Sequence, residues 1–470
     1  MLAPDLLVIG GGPAGMAAAT EAARTGLTVC LAEQRATLGG AIYRQPAEGA
    51  AAIAALPSHR RRWEHLQAEL AKSGANVLTR HVFIGIEQTG ITLLDDRNSG
   101  AVLRLRPKAV ILALGAVERI APRPGWQQAG VIGTGGLQVM LKEGRLPQGR
   151  ILLAGSGPLL LALAMQMTDA GQPPVAVIEA GDPLAHPFAV FGMLRAGGWR
   201  DSAVLMRPIL GRRFPWLRRH HLRAIEAFDG GKVAIIDGPR GERRMRADLI
   251  ALHDGLRPND FGVTSASTDG PFLLRAGDMR DVLGARAAEA DGARAARAVL
   301  AHLRSATPVR ATATPDERTI ARERLMQDKL ARMFAPVCAS APDRLPDETV
   351  ICRCEARTAG DLRAMLNASD QRSAREIRLN GRFGMGACQG RFCADTVRQF
   401  IDAAKKARGS GADPEAASPL LKPRWPLRPV SLGALASSVE TSPDGAAGSN
   451  LEGAEADHLP SSPCLASNKR

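Results

Sequence analysis

The sequence predicts an α/β fold: two strand–turn–helix–strand units, then a small α-rich module and a low-complexity tail. Three observations lead there. Apolar runs end in glycine at Leu6–Gly10 and Ile151–Gly155. Each run is followed by an Ala- or Leu-rich stretch and a second apolar run, which closes on Glu33 or Glu179. Four cysteines, Cys352, Cys354, Cys388 and Cys393, gather far downstream of both units.

In chain order, Leu6-Leu7-Val8-Ile9 is short and wholly apolar, as a strand buried on both faces must be. A helix is expected from Pro13 to Arg24, closed by Gly26, and a second strand from Leu27 to Ala32. Residues 51–73 read as helix, with Arg60-Arg61-Arg62 on a solvated face. Strands are expected around 76–94 and 101–114, a second βαβ unit over 150–179, and strands over 231–253. Residues 284–304 form an Ala/Arg-rich helix, 305–316 a Thr/Pro-containing connection and 317–333 a charged helix. A Pro-containing linker runs to about 346, the cysteine-bearing unit covers 347–406, and beyond 409 the composition turns to Pro, Ser, Gly and Ala, with disorder expected after about 440.

Gly10-Gly11-Gly12-Pro13-Ala14-Gly15 fits G-x-G-x-x-G between a strand and a helix. Gly10 permits the tight turn, Gly12 lets backbone approach a diphosphate, and Gly15 lets helix pack on strand. The helix start offers free N–H groups and the positive end of a dipole to phosphate. Glu33 closes the next strand, where a carboxylate can accept from ribose hydroxyls. Ile151 to Leu160 repeats the plan with Gly155 and Gly157, and Glu179 closes its second strand. That acid favours a ribose with a free 2′-OH, hence NADH over a phosphorylated form. Leu160 replaces the third glycine and weakens the pattern. NADH, another adenine nucleotide and an empty, vestigial site are the readings of this second unit.

Cys352-Arg-Cys354 and Cys388-Gln-Gly-Arg-Phe-Cys393 form C-x-C and C-x4-C pairs. Four thiolates are what a [2Fe-2S] cluster requires. A structural zinc takes the same number but favours C-x2-C knuckles. The second pair lies in a Gly-rich stretch, Gly384 to Gly390, expected to open a helix. Cys30 reads as a buried apolar side chain, and Cys338 and Cys464 fall in linker and tail.

Two further segments bear on the first unit. Val110 to Ala116 is an apolar strand ending in small residues, and Leu273 to Asp278 a strand ending in Gly-Asp before a helix. With the glycine motifs, these make the chain resemble pyridine-nucleotide-disulfide-reductase-like flavoproteins. The resemblance implies two Rossmann-like dinucleotide-binding domains, one inserted in the other: an FAD domain at 1–118 and 255–305, and an NAD-like domain at 119–254. A helical linker at 306–346 follows. By the same resemblance Asp278 holds the ribitol of FAD, and Gly10, Gly12, Pro13, Ala14, Gly15, Glu33, Gly40, Val82, Ala113, Gly115 and Gly277 complete the cofactor-binding set. The family threonine is Leu114 here. Gly39 to Arg44 carries no cysteine, so thiol–disulfide chemistry is not expected.

The cysteine unit resembles bacterioferritin-associated-ferredoxin-like [2Fe-2S] domains. Together with Gly155-Ser-Gly-Pro-Leu-Leu and Arg424-Trp-Pro-Leu-Arg-Pro-Val, it makes the chain similar to α-type subunits of the opine oxidase, hydrogen cyanide synthase and D-hydroxyproline dehydrogenase group. That implies an electron-handling chain beside a flavin-containing β-type subunit, with a small ferredoxin-like subunit as a further partner. The alternatives are a self-contained NADH-dependent reductase and a non-catalytic assembly subunit.

Composition bounds these readings. Apolar residues at 45% and charged residues at 23% suit a globular protein of several domains at 470 residues. The net charge of +14 comes without a nucleic-acid motif, and aromatics are only 4%, so a face for an acidic partner is expected and nucleic acid is not. The sequence enters a strand directly after Met1-Leu2-Ala3-Pro4-Asp5, without a leader pattern, and Ile151–Thr168 is interrupted by Gly155, Gly157 and Pro158. No transmembrane segment and a cytoplasmic location are expected. His220 and His221 read as part of a basic face beside Arg218-Arg219, and His253 as the histidine better placed to face a cofactor. The Pro-rich segment Pro423–Pro429 reads as an arm for a partner, within a 407–470 docking arm and tail.

Overall fold

The structure is a computed structural model that describes residues 2–50, 57–186, 214–260, 270–305, 314–337, 344–368, 374–407 and 424–437. Cys338, Cys464 and the expected disordered tail lie outside them.

The first domain opens with β1 (Leu6–Ile9), α1 (Pro13–Arg24), β2 (Val29–Glu33), α2 (Pro57–Ser73) and β3 (Asn76–Thr79). A three-stranded antiparallel sheet, β4 (His81–Ile86), β5 (Thr92–Asp96) and β6 (Ala101–Leu105), precedes β7 (Ala109–Leu112). The short β8 (Ala116–Glu118) then leaves the domain. In β1 the side chains alternate between two cores: Leu6 and Val8 face the helices, Leu7 and Ile9 the β4–β6 layer. Burial on both faces explains why this strand shows no polar alternation.

The second domain repeats the plan. It comprises β9 (Val131–Gly133), α3 (Thr134–Lys142), β10 (Ile151–Gly155), α4 (Pro158–Asp169), β11 (Ala176–Glu179) and β12 (Trp216–Arg218). The strands β13 (His221–Phe228), β14 (Gly231–Gly238) and β15 (Gly241–Ala247) form its antiparallel layer, and β16 (Leu249–His253) returns to the main sheet. The stretch that mimics a membrane span is thus β10, a turn and α4. Gly155 (φ 143°) and Gly157 (φ 129°) make the turn, which β-carbons would obstruct. Among the described residues no helix is long and apolar enough to cross a membrane.

Next, β17 (Leu256–Pro258) pairs with β8 and re-enters the first domain, where β18 (Phe272–Arg275) completes the sheet β18-β7-β1-β2-β3. The second sheet runs β12-β11-β10-β16-β9, with β10 placed as β1 is. The helix α5 (Ala285–Leu303) packs on α1 where Gly292 lies against the Ala14 backbone, too close for any side chain at 292. The linker helix α6 (Pro315–Met333) opens with a capping box, Thr314 and Glu317 each bonding the other's backbone N–H.

The cysteine module consists of β19 (Val350–Cys352), β20 (Arg357–Thr358), α7 (Ala359–Asn367), α8 (Ala374–Leu379) and α9 (Ala394–Ala407). Its own core holds Ile351, Leu362, Phe383, Val397 and Phe400. The last described segment, with α10 (Leu432–Ala436), is the arm. Instead of reaching outward it lies on the chain itself. Leu427 N–H donates to the Ile84 carbonyl (2.8 Å), and Ala434 is buried with Val82, Ile84 and Val102 of the three-stranded sheet. The exposed apolar side of β4 and β6 needs a cover, and this segment supplies it.

Candidate functional site

The first glycine loop sits at the carboxyl ends of β1 and β7. Gly10 (φ 107°) lies against the Ala113 carbonyl, and Gly15 against the Gly10 carbonyl; a β-carbon at either would overlap it. Gly12 differs: a β-carbon there would meet only the Gly40 Cα, at 3.7 Å, so the groove above it is open. Pro13 starts α1, and the Ala14 methyl touches Gly277 (φ 65°), whose own β-carbon would stand 2.6 Å from it. Glu33 accepts from Gly11 N–H (2.7 Å) through Oε2 and from Arg35 N–H (3.0 Å) through Oε1.

Asp278 accepts from the Leu283 and Gly284 N–H groups, both at 3.1 Å and both through Oδ1. Burial pushes its carboxyl above the usual carboxylate range. The other oxygen is left for a hydroxyl donor. Gly115 (φ 72°) has no neighbour where a β-carbon would stand, and its carbonyl accepts from Asn259 N–H. The structure therefore places Gly10–Gly15, Glu33, Gly40, Ala113, Gly277 and Asp278 near one another at the carboxyl ends of β1, β2, β7 and β18. Val82 is different: its side chain is turned into the core beneath α10.

Two residues here carried no sequence signal. Arg44 is buried, with 7% of its side chain exposed, and its Nε has no hydrogen-bond partner; Glu143 stands 3.7 Å away. Lys142 Nζ donates to the carbonyls of Ala41 (2.9 Å) and Ile42 (3.2 Å), and burial beside Arg44 lowers it to about 8. Both cations flank the loop bearing Gly40, where negative ligand charge is favoured.

In the second unit Glu179 is fully buried, accepts from Gly157 N–H and Gly181 N–H, and shares a hydrogen bond with the Ser156 hydroxyl. His253 is buried too, its Nδ1 2.6 Å from Glu118 Oε1, and Glu118 also accepts from Gly135 N–H. His220 packs against Gly238, and His221 lies 3.4 Å from Asp237.

The four cysteines come together although 33 residues separate the pairs. Cys352 meets Cys393, and Cys354 meets Cys388. The Cys352 sulfur accepts from Cys393 and from the Gly384, Glu355 and Cys354 N–H groups, which brings its thiol down to about 6. Cys393, the donor in that pair, is driven strongly upward, and burial raises Cys354. A β-carbon on Gly386 would overlap that of Cys354, so the glycine is required by close approach. Cys393 immediately precedes α9, as expected. Among the described residues no three His, Cys, Asp or Glu groups converge on one ion position.

This module is tied to both domains. Trp126 Nε1 donates to the Val350 carbonyl (2.6 Å), with Arg353 stacked over the indole. Arg257 donates to the Arg391 carbonyl and pairs with Asp395 at 3.4 Å. From the arm, the Pro426 and Leu427 carbonyls accept from Gln389 Nε2 (3.0 Å) and Arg391 Nη2 (2.9 Å).

The family described as "Pyridine nucleotide-disulphide oxidoreductase" matches residues 4–190. The A-type subunit of opine oxidase from Agrobacterium tumefaciens (strain Ach5) is 30% identical over 92% of this chain and 91% of its own length. The HcnB subunit of hydrogen cyanide synthase from Pseudomonas protegens is 28% identical over 91% of this chain and 96% of its own. Among solved structures, L-proline dehydrogenase from P. horikoshii superposes with a TM-score of 0.60 at 17% identity, over 92% of this chain and 79% of that one. That last likeness concerns the fold alone.

Proposed function

This chain belongs to the family of opine oxidase A-type subunits and is an FAD-dependent oxidoreductase, and from that premise we propose that it is the electron-transfer subunit of a heteromeric dehydrogenase. In this reading a separate, flavin-containing β-type subunit oxidises the C–N bond of an amino acid, imino acid or opine. The present chain passes the electrons to an external acceptor, with a small ferredoxin-like subunit serving as a further carrier. A reducing cytoplasm suits its free thiols.

One observation carries the proposal: an open groove over Gly12 and two neighbouring thiol pairs occur in one chain, joined through Arg257 and the arm. The residues present fit both groups. For FAD, Gly12 and the start of α1 would take the diphosphate, Glu33 a ribose hydroxyl and Asp278 the ribityl chain. For a [2Fe-2S] cluster, Cys352, Cys354, Cys388 and Cys393 would be the ligands, with backbone N–H groups offsetting thiolate charge. A bound flavin accepts electrons in pairs and releases them singly, and an iron–sulfur cluster carries one at a time. The chain's own part is to hold the two groups in a fixed relation and to keep water from one thiol of each sequence pair, Cys354 being exposed and Cys388 half-buried. Cys352 and Cys393 are both almost fully buried.

The test is the anaerobic visible spectrum of the purified chain. Flavin and cluster bands are expected, bleached by dithionite or by substrate plus the partner subunit. Absence of both bands after reconstitution with FAD, iron and sulfide overturns the proposal.

A further inference from the structure

The two glycine loops share one plan, so the first serves as an internal reference for the second. Gly10 lies beside Ala113 at the end of β7, and Gly155 lies beside His253 at the end of β16. Where the first domain has a methyl group, the second has an imidazole. Its Cδ2 and Nε2 stand 3.3 Å from the position a β-carbon would take on Gly157. The equivalent groove over Gly12 is open. Glu118 grips Nδ1 and holds the ring in place. The diphosphate side of the second loop is therefore filled by protein.

The ribose side is filled as well. The chain just after α6 crosses it. The Ser156 hydroxyl contacts the Phe334 carbonyl, and Val337 N–H donates to the Ala180 carbonyl at 3.0 Å. A β-carbon on Gly181 would lie 2.9 Å from the Phe334 carbonyl carbon. Glu179, which would have to meet a ribose, is fully buried and already hydrogen-bonded to the Ser156 hydroxyl and to the Gly157 and Gly181 N–H groups. A hydroxyl has one proton. If Ser156 gives it to the Phe334 carbonyl, the Ser156 oxygen must accept from Glu179, which then is the protonated acid. Burial supports this by raising that carboxyl to about 7.

We propose that the second dinucleotide fold takes no nucleotide and instead anchors the chain: Ser156 and Glu179 latch residues 334–337 across the ribose position, while His253 and Glu118 close the diphosphate position. The latch fixes the linker immediately ahead of the cysteine module. This inference goes beyond the flavin–cluster reading and does not depend on it. It removes NADH as a direct electron source.

The full chain, loaded with FAD, is titrated calorimetrically with ADP-ribose to about 1 mM, a range that captures weak binding. No saturable heat is expected. Hydrogen exchange at the Val337 and Gly181 amides is expected to be slow and unaltered by the probe. Ser156→Ala is expected to speed Val337 exchange about tenfold, the effect of one buried hydrogen bond, at unchanged flavin content. Saturable ADP-ribose binding that Glu179→Ala weakens, or rapid bleaching of the flavin by NADH, overturns the proposal. So does unchanged Val337 exchange in Ser156→Ala. If the chain fails to retain FAD, the flavin reading falls, yet the exchange data still decide the latch.

Discussion

Alanine at position 15 would set a methyl group on the Gly10 carbonyl, which only a shift of α1 away from β1 could relieve. Overpacking of this kind costs about 1–3 kcal/mol. Gly15→Ala is therefore expected to fold with a lowered melting temperature and to lose FAD on gel filtration, whereas Gly136→Ala, with nothing nearby, should do neither. Cys388→Ser tests the thiol quartet: iron per chain and the cluster band should fall together, with flavin unchanged. Glu179 makes a prediction in pH. Its folded value of about 7 lies above the ordinary 4.5, so the folded state holds the proton more tightly. The stability this contributes is complete below about 4.5 and is lost as pH rises through about 7, by up to about 3 kcal/mol. Glu179→Gln should flatten that decline in denaturant titrations; an equal decline in both proteins would show that Glu179 is not its source.

At the level of elements, the arm binds surfaces that would otherwise stand apart. Trp425 packs on Gly85, Leu427 extends from Ile84, and the neighbouring carbonyls take donors from the Cys388–Cys393 loop. Ala434→Asp would put a charge into the cluster formed with Val82 and Ile84, a substitution that costs about 2 kcal/mol or more. The expected outcome is selective. Proteolysis should release the segment after Lys406 faster and the cluster should be more readily lost in air, while FAD stays bound. Equal protease resistance of variant and parent would mean that the arm does not clamp the module.

For the whole molecule, the excess positive charge matters more to association than to folding. On the proposed function, steering toward an acidic partner subunit is screened by salt. Association with the purified partner, followed by light scattering in a stopped flow, should slow about tenfold between low and high ionic strength, with dissociation changed far less. A salt-independent association rate would point to an apolar interface. The same scale shows why the cysteine module is part of the chain. Trp126 from the second domain and Arg257 from the return strand β17 both hold it, so its position depends on both domains being folded.

The sequence alone determined much of this. Glycines at 10 and 15 specify a βαβ turn because only hydrogen fits their contacts, Gly12 leaves the groove above it open, Glu33 closes the unit, and period and apolarity set the strands around them. The two cysteine pairs were legible as a group, and the fold brings Cys352 to Cys393 and Cys354 to Cys388. Tertiary structure decided what local pattern does not encode. Glu33 and Glu179 end equivalent strands and both are buried, yet only the second loop is crossed by Phe334, a residue 155 positions after Glu179. His253 replaces Ala113 only once β16 and β7 are recognised as equivalent strands. Arg44 became notable when burial removed its solvent, and the Pro-rich arm turned inward because β4 and β6 leave an apolar face uncovered. In each case the deciding partner is distant in sequence, and its effect arises only when packing excludes water between them.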